Sequence, residues 1–473
     1  MKLNTKLLLV LIVTALLGCT GAVKESTPKY VFLFIGDGMG LSQVFTTQVY
    51  ADSILNDTSR MKFTDFPVVS LAKTFAATRY ITGSAAAGTA LSTGTKTSIG
   101  TLGLSANYTD TLYSIAKRFK DNGKKVAIIT SVSINHATPA AFYAHVSSRG
   151  SYYNIGKQLF SSGYNFFGSG GFLQITNPED SSAQSLLEYG KEKGYSFATS
   201  LAEVDSLKSI GIDEIVYSAT NSASESSLQY DIDKGDNDIT LAQITRKAIE
   251  TVYNPTGFFM MVEGGKIDWA CHANDAATTV HEVLAFSDAV NEAIAFYKKH
   301  PKETLIIVTA DHATGGLSLG NKDNHYDLHL KLLQNQKVSE EKLSREIYTY
   351  KEQNPHASFS QVLKLISSET GLNASGESTL TPNELEQLTL AYKKVFCGSN
   401  NIGKSRYLYS DTDELASSAI SIVDKKAGIG WTSTAHTGEP VPVFAIGVGA
   451  DLFDTMLDNT DIPKKILRVT GLK

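Results

Sequence analysis

Cysteine is scarce in this 473-residue chain: Cys19, Cys271 and Cys397 are the three it has, too few for a disulfide framework. No Cys-x-x-Cys pair occurs, so any metal must be held by Asp, Glu, His and hydroxyl oxygens rather than by a thiolate cage. A surplus of basic charge is missing as well. Lys and Arg number 43 against 48 Asp and Glu, a net charge of −5, which argues against a polycationic surface for nucleic acid. There is no internal repeat or heptad run, and no Gly-x-Ser-x-Gly elbow marks a serine activated by a histidine base. What is present, 42% apolar and 19% charged residues, is the composition of an ordinary globular enzyme with room for one sizeable α/β domain plus insertions.

The first residues read as an export signal. Lys2 and Lys6 give a positive start, residues 7–17 an apolar stretch too short to span a bilayer comfortably, and Gly18 a small-residue close. Leu16-Leu17-Gly18-Cys19 looks like a bacterial lipobox. That implies a signal peptide over residues 1–18, a lipid on Cys19, a tether over 19–29, and a periplasmic or cell-surface body anchored to a membrane. The alternative is a plain secretory signal with an incidental cysteine.

From residue 30 onward, short continuous apolar runs at 30–35, 125–130, 257–262 and 304–309 have the character of parallel strands buried on both faces. Helical patterns at 113–119, 240–253 and 276–297 alternate with them. The rhythm is βαβ and predicts a parallel sheet within one catalytic domain over 30–473. Residues 150–235, rich in Gly, Ser and Tyr, are expected to form surface structure around the mouth of the site. Residues 321–430 are expected to be a mostly helical insertion, with Thr381-Pro-Asn-Glu384 reading as a capping box with Pro at the first helical position.

Metal-seeking side chains cluster just after the apolar runs. Asp37 stands between glycines after VFLFI, where a carboxylate can meet an ion without a neighbouring side chain in the way. Glu263, Asp268 and His272 follow one run, and the glycines after Glu263 let Glu263 and Asp268 address different ions. Asp311 and His312 follow LIIVTA, offering a hard oxygen beside a borderline nitrogen, and His436 precedes VPVFAIGVG. Taken singly, each has a plainer reading as a helix cap or a satisfied core histidine. Together they suggest a multi-metal centre in the crevice at the carboxyl ends of the strands. Cys271 reads as a small buried hydrophobe. His136 and Thr138 follow the run at 125–130, whereas His145, His281, His300, His325, His329 and His356 lie within or beside helical patterns or in the insertion and are set aside.

Ser84 sits where a turn passes into the small-residue helix of TGSAAAGTA. Alone it reads as a cap, yet small residues allow close packing around a phosphate-sized group, and helix N-termini attract anions. With no histidine base in sight, a metal would have to activate it.

IGDGMG, TGSAAAGTALSTGTKT, HATPAAFYAHVSSR, MVEGGKIDWACHAND, TADHATGG and HTGEPVPVFA occur in this order, and the chain carrying them resembles the metal-dependent alkaline phosphatases. The resemblance implies a large mixed, mainly parallel sheet flanked by helices, two zinc ions and one magnesium, phosphate monoesters as substrates, and a homodimer. It implies that Ser84 is the nucleophile and Arg149 the guanidinium that grips phosphate. Asp268, His272 and His436 would hold the first zinc, Asp37, Asp311 and His312 the second, and Asp37, Thr138 and Glu263 the magnesium. Departures from the best-known bacterial pattern are Gly83 in place of an Asp, His136 where some members have Asp, and Trp269 where some have a basic residue. These bear on phosphate affinity and on the third metal, with His136 either a ligand or supporting from behind. Related phosphodiesterases, sulfatases and mutases are the nearest rivals. Residues 82–90 lack the Pro and Arg of a sulfatase motif. A surface lipoprotein that binds without turnover would be short of a ligand or nucleophile, and none is missing.

Overall fold

The structure, a computed structural model, describes residues 27–219, 226–373, 375–397, 403–404 and 411–472. The signal segment, Cys19 and most of the expected tether lie outside the described residues. Ten strands form the main sheet: β1 Tyr30–Gly36, β2 Val68–Lys73, β3 Lys125–Thr130, β4 Phe166–Ser169, β5 Ser196–Ala198, β6 Ile215–Ser218, β7 Phe258–Gly264, β8 Thr304–Ala310, β9 Val441–Gly447 and β10 Leu457–Asp458. Their spatial order is β10-β2-β9-β8-β1-β7-β3-β4-β6-β5. Every neighbouring pair is parallel except those made by β9, which runs against both β8 and β2. The fold is therefore α/β, with a large mixed, mainly parallel sheet flanked by helices.

The central strands form where the sequence offers unbroken apolar runs. YVFLFIG, FFMMVEG and TLIIVTA are buried at every position, as a sheet covered on both faces requires. Among the helices are α1 Leu41–Tyr50, α2 Ser84–Thr93, α3 Ala137–Ala140, α4 Leu241–Val252, α5 Lys266–Ala273 and α6 Ala276–Lys299. Phe286 of α6 meets Phe34 edge-on at 5.9 Å, and Phe32 meets Phe258 edge-on at 5.1 Å. Truncating one of these buried rings to alanine costs about 3–5 kcal/mol, because the surrounding strands cannot collapse into the void.

Residues 321–430 carry α7 Glu340–Gln353, α8 Phe359–Thr370, α9 Pro382–Tyr392 and α10 Glu414–Ala427. Thr381 and Glu384 cap α9 reciprocally, with Pro382 opening it. Ser318–Leu319 pairs antiparallel with Ile429–Gly430, so the insertion leaves and rejoins the body through one small ladder.

One expectation is corrected. Residues 150–235 supply β4, β5 and β6 and thus one edge of the sheet, not merely surface structure. Strands of three or four residues are too short to show the run that revealed the central ones. Among the described residues, no helix is long and apolar enough to cross a membrane.

Candidate active site

Strands β8, β1, β7 and β3 are neighbours that end at one level, with Gly36 beside Ala310 and Gly264, and Thr130 beside Glu263. The segments leaving them enter a single crevice, which is where open α/β sheets bind ligands. Asp37 follows β1, Asp311 and His312 follow β8, and His136 and Thr138 follow β3. Glu263 lies inside the end of β7 rather than after it, and Asp268 and His272 share α5. His436 arrives through the reversed strand: because β9 runs against β8, the segment preceding it lies at the same end, and His436–Thr437 pairs with Ala313–Thr314. Glycine is needed at 38, where φ is +72° and a Cβ would stand 2.9 Å from the Asp268 Cα.

Three sets of side chains converge, the candidate ligand atoms of each lying within 4.8 Å of one another: Asp268–His272–His436, Asp37–Asp311–His312, and Asp37–His136–Glu263. In the first, His272 Nε2 lies 3.3 Å from Asp268 Oδ2 and 3.2 Å from His436 Nε2. The Nδ1 atoms face away, His272 toward the Thr434 carbonyl at 2.6 Å and His436 toward that of Thr82 at 2.9 Å. Those contacts orient each imidazole with Nε2 directed into the set. In the second, His312 Nε2 is 3.3 Å from both Asp37 Oδ1 and Asp311 Oδ2, while the amides of Gly38 and His312 donate to Asp311 Oδ1 at 3.2 and 2.9 Å. In the third, the Thr138 hydroxyl is 3.4 Å from Asp37 Oδ2, and the Thr130 hydroxyl donates to Glu263 Oε2. Thus His136 is near enough to be a ligand, and the Thr138 hydroxyl stands beside the same group.

The crevice is electrostatically loaded. Asp37, Glu263 and Asp311 are wholly buried. Desolvation, reinforced by neighbouring carboxylates, pushes Asp37 well above the usual carboxylate range and Asp311 up to about 8. Burial likewise raises Glu263 to about 7 against the hydroxyls that hold it down. Burial pushes Asp268 up too, but His272, His436 and His312 outweigh it and hold that carboxyl well below its ordinary value. Burial depresses His136, His312 and His436 and leaves their imidazoles neutral, whereas His272, beside Asp268, is raised despite it. Asp37 Oδ1, Glu263 Oε1 and Asp311 Oδ2 are buried without a hydrogen-bond partner. Buried carboxylates of this kind are costly unless paired or bound to cations. Hard oxygens beside neutral imidazoles are the donor set that divalent ions take, so the residues fit a metal centre.

Ser84 is the first residue of α2 rather than its cap, which is Gly83. Its hydroxyl lies 3.4 Å from His312 Nε2 and is nearly buried. Arg149 joins the site through His136, its Nη2 2.9 Å from His136 Nε2, and Trp269 meets His136 edge-on at 6.1 Å. The crevice therefore presents a hydroxyl, a guanidinium and three ligand sets to one volume. His145, His281, His300, His325, His329 and His356 belong to none of those sets. Cys271 is also outside them, buried between Gln43 and Thr279 with its thiol pushed up to about 12 by burial.

Thr314 belongs to the crevice, and the sequence did not single it out. Its hydroxyl donates to Asp268 Oδ1 at 2.6 Å and lies 3.3 Å from His312 Nδ1, so it braces two ligand sets at once. The signal available was its place two residues after His312, in TADHAT.

Fold and crevice together define an α/β protein with a candidate multi-metal centre at the carboxyl ends of its strands. The sequence profile described as "Alkaline phosphatase" matches residues 28–163 and 184–472. The chain belongs to the alkaline phosphatase family, and it is a phosphoric monoester hydrolase. Alkaline phosphatase 4 of Bacillus subtilis is 31% identical over 82% of this chain and 76% of its own length. Alkaline phosphatase 3 of the same organism is 28% identical over 93% and 88%. Among solved structures, the cold-active alkaline phosphatase of the psychrophile Shewanella sp. superposes with a TM-score of 0.74 at 30% identity, covering 93% of this chain and 99% of that one. The Thermus thermophilus enzyme shares the fold with a TM-score of 0.77 at 24% identity, covering 96% and 95%.

Proposed function

We propose that this chain hydrolyses phosphate monoesters to an alcohol and inorganic phosphate through a phosphoserine on Ser84, at a site loaded with two zinc ions and one magnesium. The observation that carries the reading is the 3.4 Å approach of the Ser84 hydroxyl to His312 Nε2, inside the Asp37–Asp311–His312 set. Asp268, His272 and His436 would hold the first zinc, and Asp37, Asp311 and His312 the second. Asp37, Glu263 and Thr138 would hold the magnesium, with His136 beside them. A variant of the alkaline phosphatase from TAB5, an Antarctic bacterium, has Mg bound in its M3 site, and it superposes on this chain with a TM-score of 0.66 at 25% identity. Bound there, the ions would supply Lewis acidity toward the entering and leaving oxygens of an in-line displacement.

Within that frame the chain's own groups divide the work. Ser84 Oγ attacks phosphorus as the bond to the ester oxygen breaks, giving the alcohol and a phosphoserine. Water then attacks the same phosphorus, the bond to Oγ breaks, and phosphate leaves with Ser84 restored. Arg149 aims its guanidinium fork at the equatorial oxygens, where negative charge grows. Thr314 holds Asp268 and His312 in place while the substrate comes and goes.

Lipid attachment at Cys19, and with it export to the periplasm or cell surface, belongs to the same proposal and is supported by the lipobox-like Leu16-Leu17-Gly18-Cys19. So does a homodimer. Leu41 and Phe45 on α1, with Tyr80 and Ile81 just before Ser84, are exposed apolar side chains suited to a partner surface. Metal-reconstituted protein should be tested on a monoester, a diester and a sulfate ester. Fast release of phosphate from the monoester is expected, with the other two far slower. Preference for the diester or the sulfate would remove the reading.

A further inference from the structure

Lys266 is the group in this region that the reaction leaves unused, and it is almost wholly buried at the start of α5. Its ammonium donates to the Leu228 carbonyl at 2.9 Å and stands 3.6 Å over the ring of Tyr230, which is itself buried. The same nitrogen lies 5.5 Å from the Trp269 ring. Trp269 in turn meets His136 edge-on, and His136 Nε2 is 2.9 Å from Arg149 Nη2. Contacts thus run without a break from Lys266 to the guanidinium assigned to phosphate.

Charges on the insertion also act on the lysine, and a residue beside it is tied to the insertion. Burial works against its charge and holds the lysine below its ordinary pKa, while Glu341, Glu282 and Asp233 favour the ammonium and Arg345 opposes it. Asp233 accepts from the Ser339 amide at 2.8 Å and from its hydroxyl at 2.5 Å, which fixes the start of α7. A cation desolvated between rings and a carbonyl holds those partners in one arrangement, and it does so more strongly than the same contact would in water.

We propose that Lys266 is a positioning residue for phosphate binding: clamped between the Leu228 carbonyl and the Tyr230 ring, it holds Trp269 against His136 and, through His136, sets the reach of Arg149. The proposal rests on Arg149 gripping phosphate. It adds that α7 and the segment around Leu228 tune that grip from outside the metal sets.

Inhibition by inorganic phosphate and the kcat and KM of a monoester should be measured on metal-loaded Lys266→Met, Lys266→Arg, Arg149→Ala and the Arg149→Ala/Lys266→Met double variant. The methionine variant should raise the phosphate inhibition constant and KM about tenfold, the factor set by losing one desolvated cation–π clamp. It should keep kcat at saturation and its bound zinc. Arginine should restore most of the loss, and in the Arg149→Ala background the methionine should add nothing. An unchanged inhibition constant, an equal loss with arginine, an additive loss in the double variant or a loss of zinc would each overturn the assignment. Should the methionine variant fail to fold, Tyr230→Leu removes the other face of the clamp and is held to the same outcomes. Wild-type protein inert toward monoesters would strike the phosphatase reading instead, while calorimetric titration of the same variants with inorganic phosphate still decides Lys266.

Discussion

Stripping the ions from the crevice should make the stability of this protein fall as pH rises through neutrality. A carboxyl group whose folded pKa lies above its unfolded value keeps its proton better in the native state. Its contribution is full below the unfolded pKa and gone once pH has passed the folded one. Glu263, at about 7, and Asp311, at about 8, both behave this way. At about 1.4 kcal/mol per pH unit, the pair removes about 3 kcal/mol between about pH 6.5 and about pH 9. Asp37, raised well above its ordinary value, and His272, raised as well, act in the same direction. The depressed histidines 136, 312 and 436 act the other way at the low end of this window, where unfolded imidazoles still lose protons; together they return about 1 kcal/mol, which Asp37 and His272 offset, and above about pH 7.5 they are neutral in both states, while Asp268 is ionised in both throughout. In a chain of this size about 3 kcal/mol corresponds to about 3 °C of melting temperature. Thermal unfolding followed by circular dichroism, with chelator and then with zinc and magnesium restored, reads this directly. Restored ions should keep the carboxylates ionised and abolish the fall. A metal-free melting temperature that stays level or climbs across the window, or one that drops equally with ions bound, would refute the argument.

Two further outcomes test the site itself. Ser84→Ala should lose turnover by about 10³-fold or more, as expected when the attacking atom is removed, while zinc content by elemental analysis stays at the wild-type level; wild-type rates would remove Ser84 from the nucleophile role. Replacing either His272 or His436 by alanine should lower bound zinc by about one ion per chain, since the two share one ligand set; full occupancy in both variants would dissolve that grouping.

The central strands were readable from sequence because burial on both faces leaves an uninterrupted apolar signature, and β3 begins and ends where its run does. That metal-seeking side chains gather in one crevice was readable for a related reason, while their grouping into sets came from the family resemblance alone. Asp37, Asp311 and the Glu263–His272 segment each follow such a run directly, so the strand end announces the crevice. The short strands β4, β5 and β6 gave no comparable signal, being only three or four residues long. Thr314, Thr130 and Lys266 escaped notice for another reason. A hydroxyl or an ammonium acquires its role only when tertiary folding brings up Asp268, Glu263 or the Tyr230 ring, and no local pattern records such a meeting.

The reversed strand has a bearing on how the chain comes to be folded. Strand β2 ends at Lys73, yet its two neighbours in the sheet, β9 and β10, both come from beyond residue 440 and are made long after it. Until they emerge, Val68–Lys73 has nothing to pair with in the main sheet, and His436, just ahead of β9, has not joined Asp268 and His272. Pairing over such a separation is slow, because a very long loop must close before any contact rewards it. Assembly of the reactive centre therefore waits until the segment from His436 to Asp458 has been made, and a nascent chain carries no working hydrolase before then.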